Sequence, residues 1–401
     1  MHCVQAVTPH IFWVGGNDRR LERFENMFPL PHGVAYNSYL ILDEKTALMD
    51  TVDAAISAVF LENLTHTLAG RELDYLIVNH MEPDHCANIE ELLRRYPRLQ
   101  IVGNRKTFQL IEQFYQFDAK ANYYEVKEGD ELPLGRHRLR FICAPMVHWP
   151  EVMFTYEQTE KILFSADAFG SFGAIAGNLF SDQTDFEGFF LDEARRYYTN
   201  IVGKFGDQVQ AVLKKAASLD IRMICPLHGP VWRQSLPYIL EKYDRWSKYQ
   251  PEKQGVVLIY GSMYGNTENV MNRIAAKLSA KGVADIRMHD VSKTHPSYII
   301  ADAWKYSNMV VGAPTYNMGL YYGMDALLHE MAALRLRNRK AAVVSNHSWA
   351  CAATKLLVCH LEKMNMELVG KPFEIKSSMK PQQEAELEQL VDAICTSLQT
   401  E

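Results

Sequence analysis

The chain has 401 residues, nearly half of them apolar, with a formal charge of −6. That length predicts two or three domains rather than one, and the acidic balance argues against nucleic acid as a main partner. No apolar run approaches a membrane span, and Met1-His2-Cys3-Val4-Gln5 lacks the basic segment and apolar core of a secretory signal, so neither a membrane nor a secreted protein is expected. The seven cysteines are scattered and odd in number, which points to reduced thiols in a cytoplasm. No Cys-x-x-Cys pair occurs, so the chain has no rubredoxin-type iron site of its own.

Residues from about 4 to 50 alternate as half-buried strands do, around Ile11-Phe12-Trp13-Val14, Tyr36 to Leu42 and Ala47-Leu48-Met49. A helix is expected from Asp53 to about Leu68. The apolar run Tyr75-Leu76-Ile77-Val78 then reads as a buried strand. It leads into Asn79-His80-Met81-Glu82-Pro83-Asp84-His85, with two imidazoles and two carboxylates in one short stretch. Splitting His80, Glu82, Asp84 and His85 between two adjacent metals is more natural than crowding them on one tetrahedral ion. The plainer alternative is a polar loop in which Asp84 caps a helix running to about Tyr96. Further strands are expected at Ile101-Val102, Tyr123 to Val126 and Arg138 to Cys143. The last runs into Pro145-Met146-Val147-His148-Trp149-Pro150. Val152-Met153-Phe154 and Ile162-Leu163-Phe164 form a hairpin, and its second arm ends at Ser165-Ala166-Asp167. Helices fill about 186–217. Met223-Ile224-Cys225 is a short strand ending at Pro226-Leu227-His228, and a helix follows to about Lys248. Short apolar strands thus end in His80, His148, Asp167 and His228, and strand ends on one sheet edge converge. Cys86 and Cys225 adjoin these residues and are read first as small buried side chains.

Lys248 to Gln254 is polar with a proline and serves as the linker. It divides a domain of residues 1–250 from one of 251–401. Beyond it, strands and helices alternate as in a doubly wound parallel sheet: strands at 255–260, 286–288, 309–311, 341–344 and near 366–376, with helices between and a last helix from about Gln382. The first strand ends in Gly261-Ser262-Met263-Tyr264-Gly265-Asn266-Thr267. Small and hydroxyl residues at a strand-to-helix turn make a phosphate cradle. The Walker lysine and the Gly-x-Gly-x-x-Gly fingerprint are both missing, so the loop suits a monophosphate such as that of flavin mononucleotide, FMN. Two later loops offer aromatics and backbone donors for a flat ring. They are Gly312 to Gly319 and Ser345-Asn346-His347-Ser348-Trp349-Ala350.

These motifs together resemble the flavodiiron proteins, or A-type flavoproteins. The resemblance rests on His-x-Glu-x-Asp-His at His80, a later His148, Asp167 and His228, and the Ser262 to Thr267 loop, and it covers essentially the whole chain. It implies an α/β chain with an N-terminal metallo-β-lactamase-like αβ/βα sandwich followed by a flavodoxin-like domain. It implies one iron on His80, Glu82 and His148, a second on Asp84, His85 and His228, and Asp167 as the bridge. In some relatives the counterpart of His85 is displaced from the metal. The FMN phosphate would sit on Ser262, Met263, Tyr264, Gly265, Asn266 and Thr267. The ring would contact Pro314, Thr315, Tyr316, Asn317 and Gly319, then Ser345, Asn346, His347, Ser348 and Trp349. Tyr197 resembles a tyrosine of the family's substrate pocket and is the catalytic candidate. Relatives are head-to-tail dimers, some of them dimers of dimers, with rubredoxin or a reduced deazaflavin as the external electron donor.

The ligand chemistry agrees with that resemblance. Zinc has no redox chemistry and favours His and Cys. Glu82, where hydrolytic relatives carry His, and a bridging Asp make a harder, more anionic site suited to iron. The expected activity is reduction of O2 to water, of NO to N2O, or both, for protection against those gases. The alternatives are a metallo-hydrolase fused to a flavodoxin domain and a non-catalytic redox sensor or electron-transfer protein.

Overall fold

The structure is a computed structural model and describes residues 2–399. The chain forms two compact units. One comprises the chain up to Tyr198 together with Asp207–Asp244, and the other comprises Thr199–Gly206 and the chain from Arg245 onward.

The first unit is a sandwich of two sheets. Its seven-stranded sheet runs in the order Gln5–Ala6, Ile11–Trp13, Tyr39–Ile41, Ala47–Met49, Tyr75–Ile77, Gln100–Gly103 and Tyr123–Glu125. The first four strands pair antiparallel and the last four parallel. The five-stranded sheet holds Glu131–Pro133, Arg138–Cys143, Met153–Glu157, Ile162–Phe164 and Met223–Cys225. One apolar core lies between the sheets, with Trp13, Tyr39, Ile77 and Val102 from one meeting Phe141, Phe164 and Cys225 from the other. Both faces of the inner strands are buried, which is why Tyr75-Leu76-Ile77 reads as an unbroken apolar run rather than an alternating one.

The register of this sandwich sets up the site. Phe164 pairs with Cys225, and Met49 pairs with Ile77, both in parallel ladders. His80, Asp167 and His228 each stand three residues beyond the strand ends Ile77, Phe164 and Cys225. The helix expected from Asp84 to Tyr96 is two helices, Pro83–Cys86 and Ile89–Arg95. Asn88 makes the break: its backbone N–H donates to Thr51 Oγ1 and its amide Nδ2 to the carbonyl of Val52, bonds that compete with a continuous helix. Pro83 occupies the first turn of the shorter helix, where its missing N–H costs nothing.

The second unit is a parallel sheet in the order Ile286–Asp290, Lys253–Tyr260, Tyr306–Tyr316, Lys340–His347, then Glu367–Leu368 and Phe373–Lys376, which both pair with Lys340–His347. The strand order is thus 2-1-3-4-5, the doubly wound arrangement whose crevice opens at the ends of the first and third strands. The expected last strand is two short ones, separated by a turn at Gly370 with φ +69°. Thr199–Gly206 belongs to this unit because Asn200 Nδ2 donates to the carbonyl of Ser297 at 3.2 Å and Tyr249 Oη donates to that of Gly203 at 2.9 Å. Buried Arg339 spreads its guanidinium over the carbonyls of Tyr249, Ala303 and Trp304. No helix among the described residues is long and apolar enough to cross a membrane.

Candidate functional site

In the first unit the strand ends bring His80, Glu82, Asp84, His85, His148, Asp167 and His228 into one buried cluster. The donors fall into two groups, His80, Glu82, His148 and Asp167 in one, and Asp84, His85 and His228 in the other, with the donor atoms of each within 4.8 Å of one another. Asp167 stands between them. Its Oδ2 lies 3.1 Å from His148 Nε2 and 3.5 Å from His80 Nε2. Its Oδ1 lies 3.1 Å from His85 Nε2 and 3.7 Å from His228 Nε2. Glu82 Oε2 is 3.2 Å from His80 Nε2 and 3.1 Å from His148 Nε2. Asp84 Oδ2 is 3.3 Å from His85 Nε2 and 3.4 Å from His228 Nε2. All four imidazoles therefore present Nε2 to the cluster. Outer contacts orient two of them: His80 Nδ1 meets Glu151 Oε1 at 2.8 Å, and His228 Nδ1 meets the carbonyl of Ala35 at 2.9 Å.

Several of these polar atoms have no hydrogen-bond partner although they are buried: both oxygens of Asp84, both ring nitrogens of His85, Asp167 Oδ1 and His228 Nε2. Buried polar atoms are rarely left unsatisfied, so this donor set fits bound cations. The electrostatics of the cluster point the same way. Burial disfavours a charged His85, but Asp84 and Asp167 outweigh it and raise its pKa to about 9. His148 likewise rises to about 9, against burial, through Asp167 and Glu82. Burial would raise Glu82 and Asp167, yet the surrounding imidazoles hold both well below the ordinary carboxylate range.

Tyr197 is fully buried at this site, with its ring centroid 5.4 Å from that of His228. Burial, then the charges of Asp167, Glu82 and Asp84, raise its pKa well above that of a free tyrosine, so its hydroxyl keeps its proton. Phe24 and Phe172 pack edge-on against it, and Phe24 also packs against His228, so aromatic rings wall that side.

Three residues escaped the sequence reading. Asp50, just past the strand Ala47–Met49, accepts from the backbone N–H groups of Asn79 at 2.7 Å and His80 at 3.1 Å, and fixes the start of the loop that carries His80 to His85. Glu151 orients His80. Its position three residues after His148 is the only trace it leaves in the sequence. Glu25, at the tip of the hairpin Arg23–Phe24 and Phe28–Pro29, is an exposed residue whose carboxyl interacts with Glu82. Partial burial, then a hydrogen bond shared with Glu82, raise its pKa to about 9.

In the second unit a cavity of about 400 Å³ opens at the strand ends. Ser262, Met263, Tyr264, Asn266, Thr267, Pro314, Thr315, Tyr316, Asn317, Asn346, His347, Ser348 and Trp349 line it, joined by Met318, Ala350 and Ser377. Gly265, Gly319 and Ser345 lie outside the lining. Ser345 turns its hydroxyl to Thr354 Oγ1 at 2.6 Å. Gly265 instead shapes the cradle. Its φ is +84°, it precedes the helix Asn266–Ala280, whose Glu268 N–H donates to Ser262 Oγ at 3.4 Å, and a Cβ there would meet nothing within 4 Å. The N-terminus of a helix of this length is a fitting place for an anion. Trp349 is 92% exposed and Tyr264 88%, flat surfaces at the cavity edge with nothing packed on them.

Comparison with known proteins decides the family. Residues 34–229 match the ODP family beta lactamase, and residues 258–389 match flavodoxin. The chain is 32% identical over 370 residues to a nitric oxide reductase of Moorella thermoacetica, covering 92% of both chains. It belongs to the flavodiiron proteins. Among solved flavodiiron structures, a mutant of the Thermotoga maritima protein superposes with a TM-score of 0.90 at 26% identity, covering 99% of this chain and 98% of that one. A rubredoxin oxygen:oxidoreductase from Desulfovibrio gigas superposes with a TM-score of 0.91 at 26% identity, covering 98% of both. The metallo-β-lactamase-like sandwich followed by a flavodoxin-like sheet is the flavodiiron architecture. Relatives named for nitric oxide and for oxygen both fall within this likeness, and both names denote oxidoreductases.

Proposed function

We propose that this chain reduces dioxygen to water, nitric oxide to nitrous oxide, or both, at a non-haem diiron site supplied with electrons by FMN. The observation that carries this reading is Asp167, whose two oxygens face two separate donor groups, as a carboxylate shared between two metals would. His80, Glu82 and His148 would hold one iron, Asp84, His85 and His228 the other. The counterpart of His85 leaves the metal in some relatives, but here its Nε2 points at Asp84 and Asp167 with no other partner, which favours ligation. Three carboxylates among seven donors suit iron better than zinc. Two ferrous ions and a reduced FMN together supply four electrons, enough for dioxygen and twice what a pair of nitric oxide molecules needs.

The protein's own groups bind and position. Glu151 and the Ala35 carbonyl hold His80 and His228 with Nε2 inward. Phe24, Phe172 and Tyr197 keep bulk water from one side of the cluster, and Tyr197 keeps a hydroxyl proton available beside Asp167. In the second unit, Ser262 to Thr267 would receive the FMN phosphate, and Thr315 to Asn317 with Asn346 to Trp349 the ring. Residues 1–250 would thus carry the metals and 251–401 the flavin. Rubredoxin is the proposed electron donor, as the name of the Desulfovibrio gigas relative suggests, with a reduced deazaflavin as the alternative. The exposed aromatics around the cavity support a head-to-tail homodimer, alone or paired, that covers them. Seven unpaired thiols favour a cytoplasmic setting.

The test is metal analysis with optical spectra of the purified protein, then anaerobic reduction and separate mixing with O2 and NO. Iron, FMN and rapid reoxidation by either gas are expected. Zinc without iron would favour a hydrolase. Iron and FMN with no turnover of either gas would leave a sensor or electron carrier.

A further inference from the structure

A second set of metal-type donors lies in the flavodoxin-like unit, outside the lining of the flavin cavity. Asp325 and His329 stand four residues apart on the helix Tyr322–Ala333 and so share one face. His360 stands in the last turn of the neighbouring helix Ala353–Lys363. Its Nε2 lies 2.9 Å from Asp325 Oδ1, and His329 Nδ1 lies 3.7 Å from that same oxygen. The two imidazole centroids are 4.7 Å apart. The three donor atoms all fall within 4.8 Å of one another.

An interhelical ion pair holds Asp325 to His360, and the i,i+4 spacing on the helix brings the second imidazole to the same carboxylate. A tetrahedral ion with bonds of about 2.1 Å separates its ligand atoms by about 3.4 Å. Of the two edges to Asp325 Oδ1, one is shorter than that and the other longer, by about half an ångström or less, and the third lies within 4.8 Å. Asp325 and His329 have side chains 46% and 69% exposed, so they can make that adjustment. His360 is held more firmly, at 12% exposed. His329 Nδ1 also lies 2.9 Å from the Asp325 carbonyl, a local bond that an arriving ion would replace. Two imidazoles and one carboxylate select zinc, nickel or copper over magnesium or calcium. The C-terminal end of the helix bearing His360 further favours positive charge.

We propose that Asp325, His329 and His360 form a surface site for a divalent transition metal of the zinc class, with water completing the shell. The site ties together two helices that each follow a loop of the flavin cavity, the loop bearing Pro314 to Met318 and the loop bearing His347 to Ala350.

The experiment uses the full-length protein loaded with iron and FMN. Zinc chloride is titrated in by calorimetry, and zinc, iron and flavin are counted after gel filtration. One saturable zinc per chain is expected, with iron and FMN retained. His329→Ala and His360→Ala each weaken this binding by more than the roughly tenfold typical of losing an outer-shell contact. Asp325→Asn does the same with the least risk to folding, and Cys351→Ser leaves binding unchanged, which separates this site from the His347, Cys351 and Glu374 group nearer the flavin cavity. Undiminished zinc uptake in the His329→Ala/His360→Ala double variant overturns the assignment. So does zinc uptake matched by iron loss, or abolished by Cys351→Ser.

Discussion

Glu151 offers the sharpest test of how the cluster is held. It is buried, and one oxygen serves two groups: it accepts from the Met81 N–H at 2.9 Å and meets His80 Nδ1 at 2.8 Å. Burial alone would raise its pKa, yet His80 and the Met81 N–H hold it below the ordinary range. The carboxylate therefore acts on His80 as a charged acceptor. Glu151→Leu removes both bonds. It leaves a buried N–H unpaired, which costs about 1–3 kcal/mol of stability. It also frees the His80 ring to turn. Loss of such an outer contact costs roughly 10–100-fold in metal affinity, or about 1.4–2.7 kcal/mol. Glu151→Gln keeps an acceptor oxygen and loses the charge. Charge-assisted bonds are about twice as strong as neutral ones, so about 1 kcal/mol and roughly fivefold in affinity should go. The assay is iron affinity by competition against a chelator, with the thermal midpoint of the metal-free protein measured in parallel. If Glu151→Leu lowers that midpoint but binds iron as tightly as the parent chain, Glu151 is a packing residue only and the orienting argument fails.

Other outcomes follow from the same contacts. Glu82→His should abolish gas reduction and let zinc compete better, and unchanged iron content and turnover would show that this carboxylate has been overvalued. Tyr197→Phe should leave metal content intact and slow turnover about fivefold, the worth of one hydrogen bond of ~1 kcal/mol; stopped-flow reoxidation by each gas checks it. Trp349→Ala should weaken FMN binding about 2–12-fold, from the ~0.5–1.5 kcal/mol of a ring–ring contact, without shifting the apoprotein midpoint, since the residue is 92% exposed; flavin fluorescence on titration reports it. The buried pair His137 and Glu157, 3.1 Å apart, sets a pH window. Burial opposes the charge on His137, but Glu157 raises its pKa above 6.5; that contribution is complete below pH 6.5 and fades as pH rises through the folded value. Burial likewise opposes the charge on Glu157, but His137 lowers its pKa below 4.5; that contribution is complete above pH 4.5 and fades as pH falls through the folded value. The stability lost in His137→Gln should therefore be greatest between about pH 4.5 and 6.5, by denaturant titration across pH.

Much of the fold is legible in the sequence, for physical reasons. Strands buried on both faces give unbroken apolar runs, and a polar residue that ends such a run is conspicuous. His80, Asp167 and His228 stood out in that way. The Ser262 to Thr267 loop was legible as a strand-to-helix turn because small and hydroxyl residues follow an unbroken apolar run there. What stayed hidden depends on tertiary contact. Asp50 follows an ordinary strand, and only the parallel register of Met49 with Ile77 carries it to Asn79. Glu151 is one acidic residue among many until the fold sets it against His80. Asn88 looked like a helix interior because its competing partners, Thr51 and Val52, come from another element. Ser345 read as a loop residue, yet its strand runs on to His347 and its hydroxyl turns to Thr354.

The equal spacing from strand end to His80, Asp167 and His228 sets a length tolerance. Each residue advances an extended chain by about 3.3–3.6 Å. Neighbouring donors in the cluster are separated by 3.1–3.7 Å. Inserting or deleting one residue between Ile77 and His80, Phe164 and Asp167, or Cys225 and His228 would move a side chain by a whole donor spacing and turn it toward the opposite face. These three connections can change composition, but they have no freedom in length. In any library of length variants, loss of metal should therefore map to these three two-residue gaps, together with the stretches that carry Glu82, Asp84, His85 and His148.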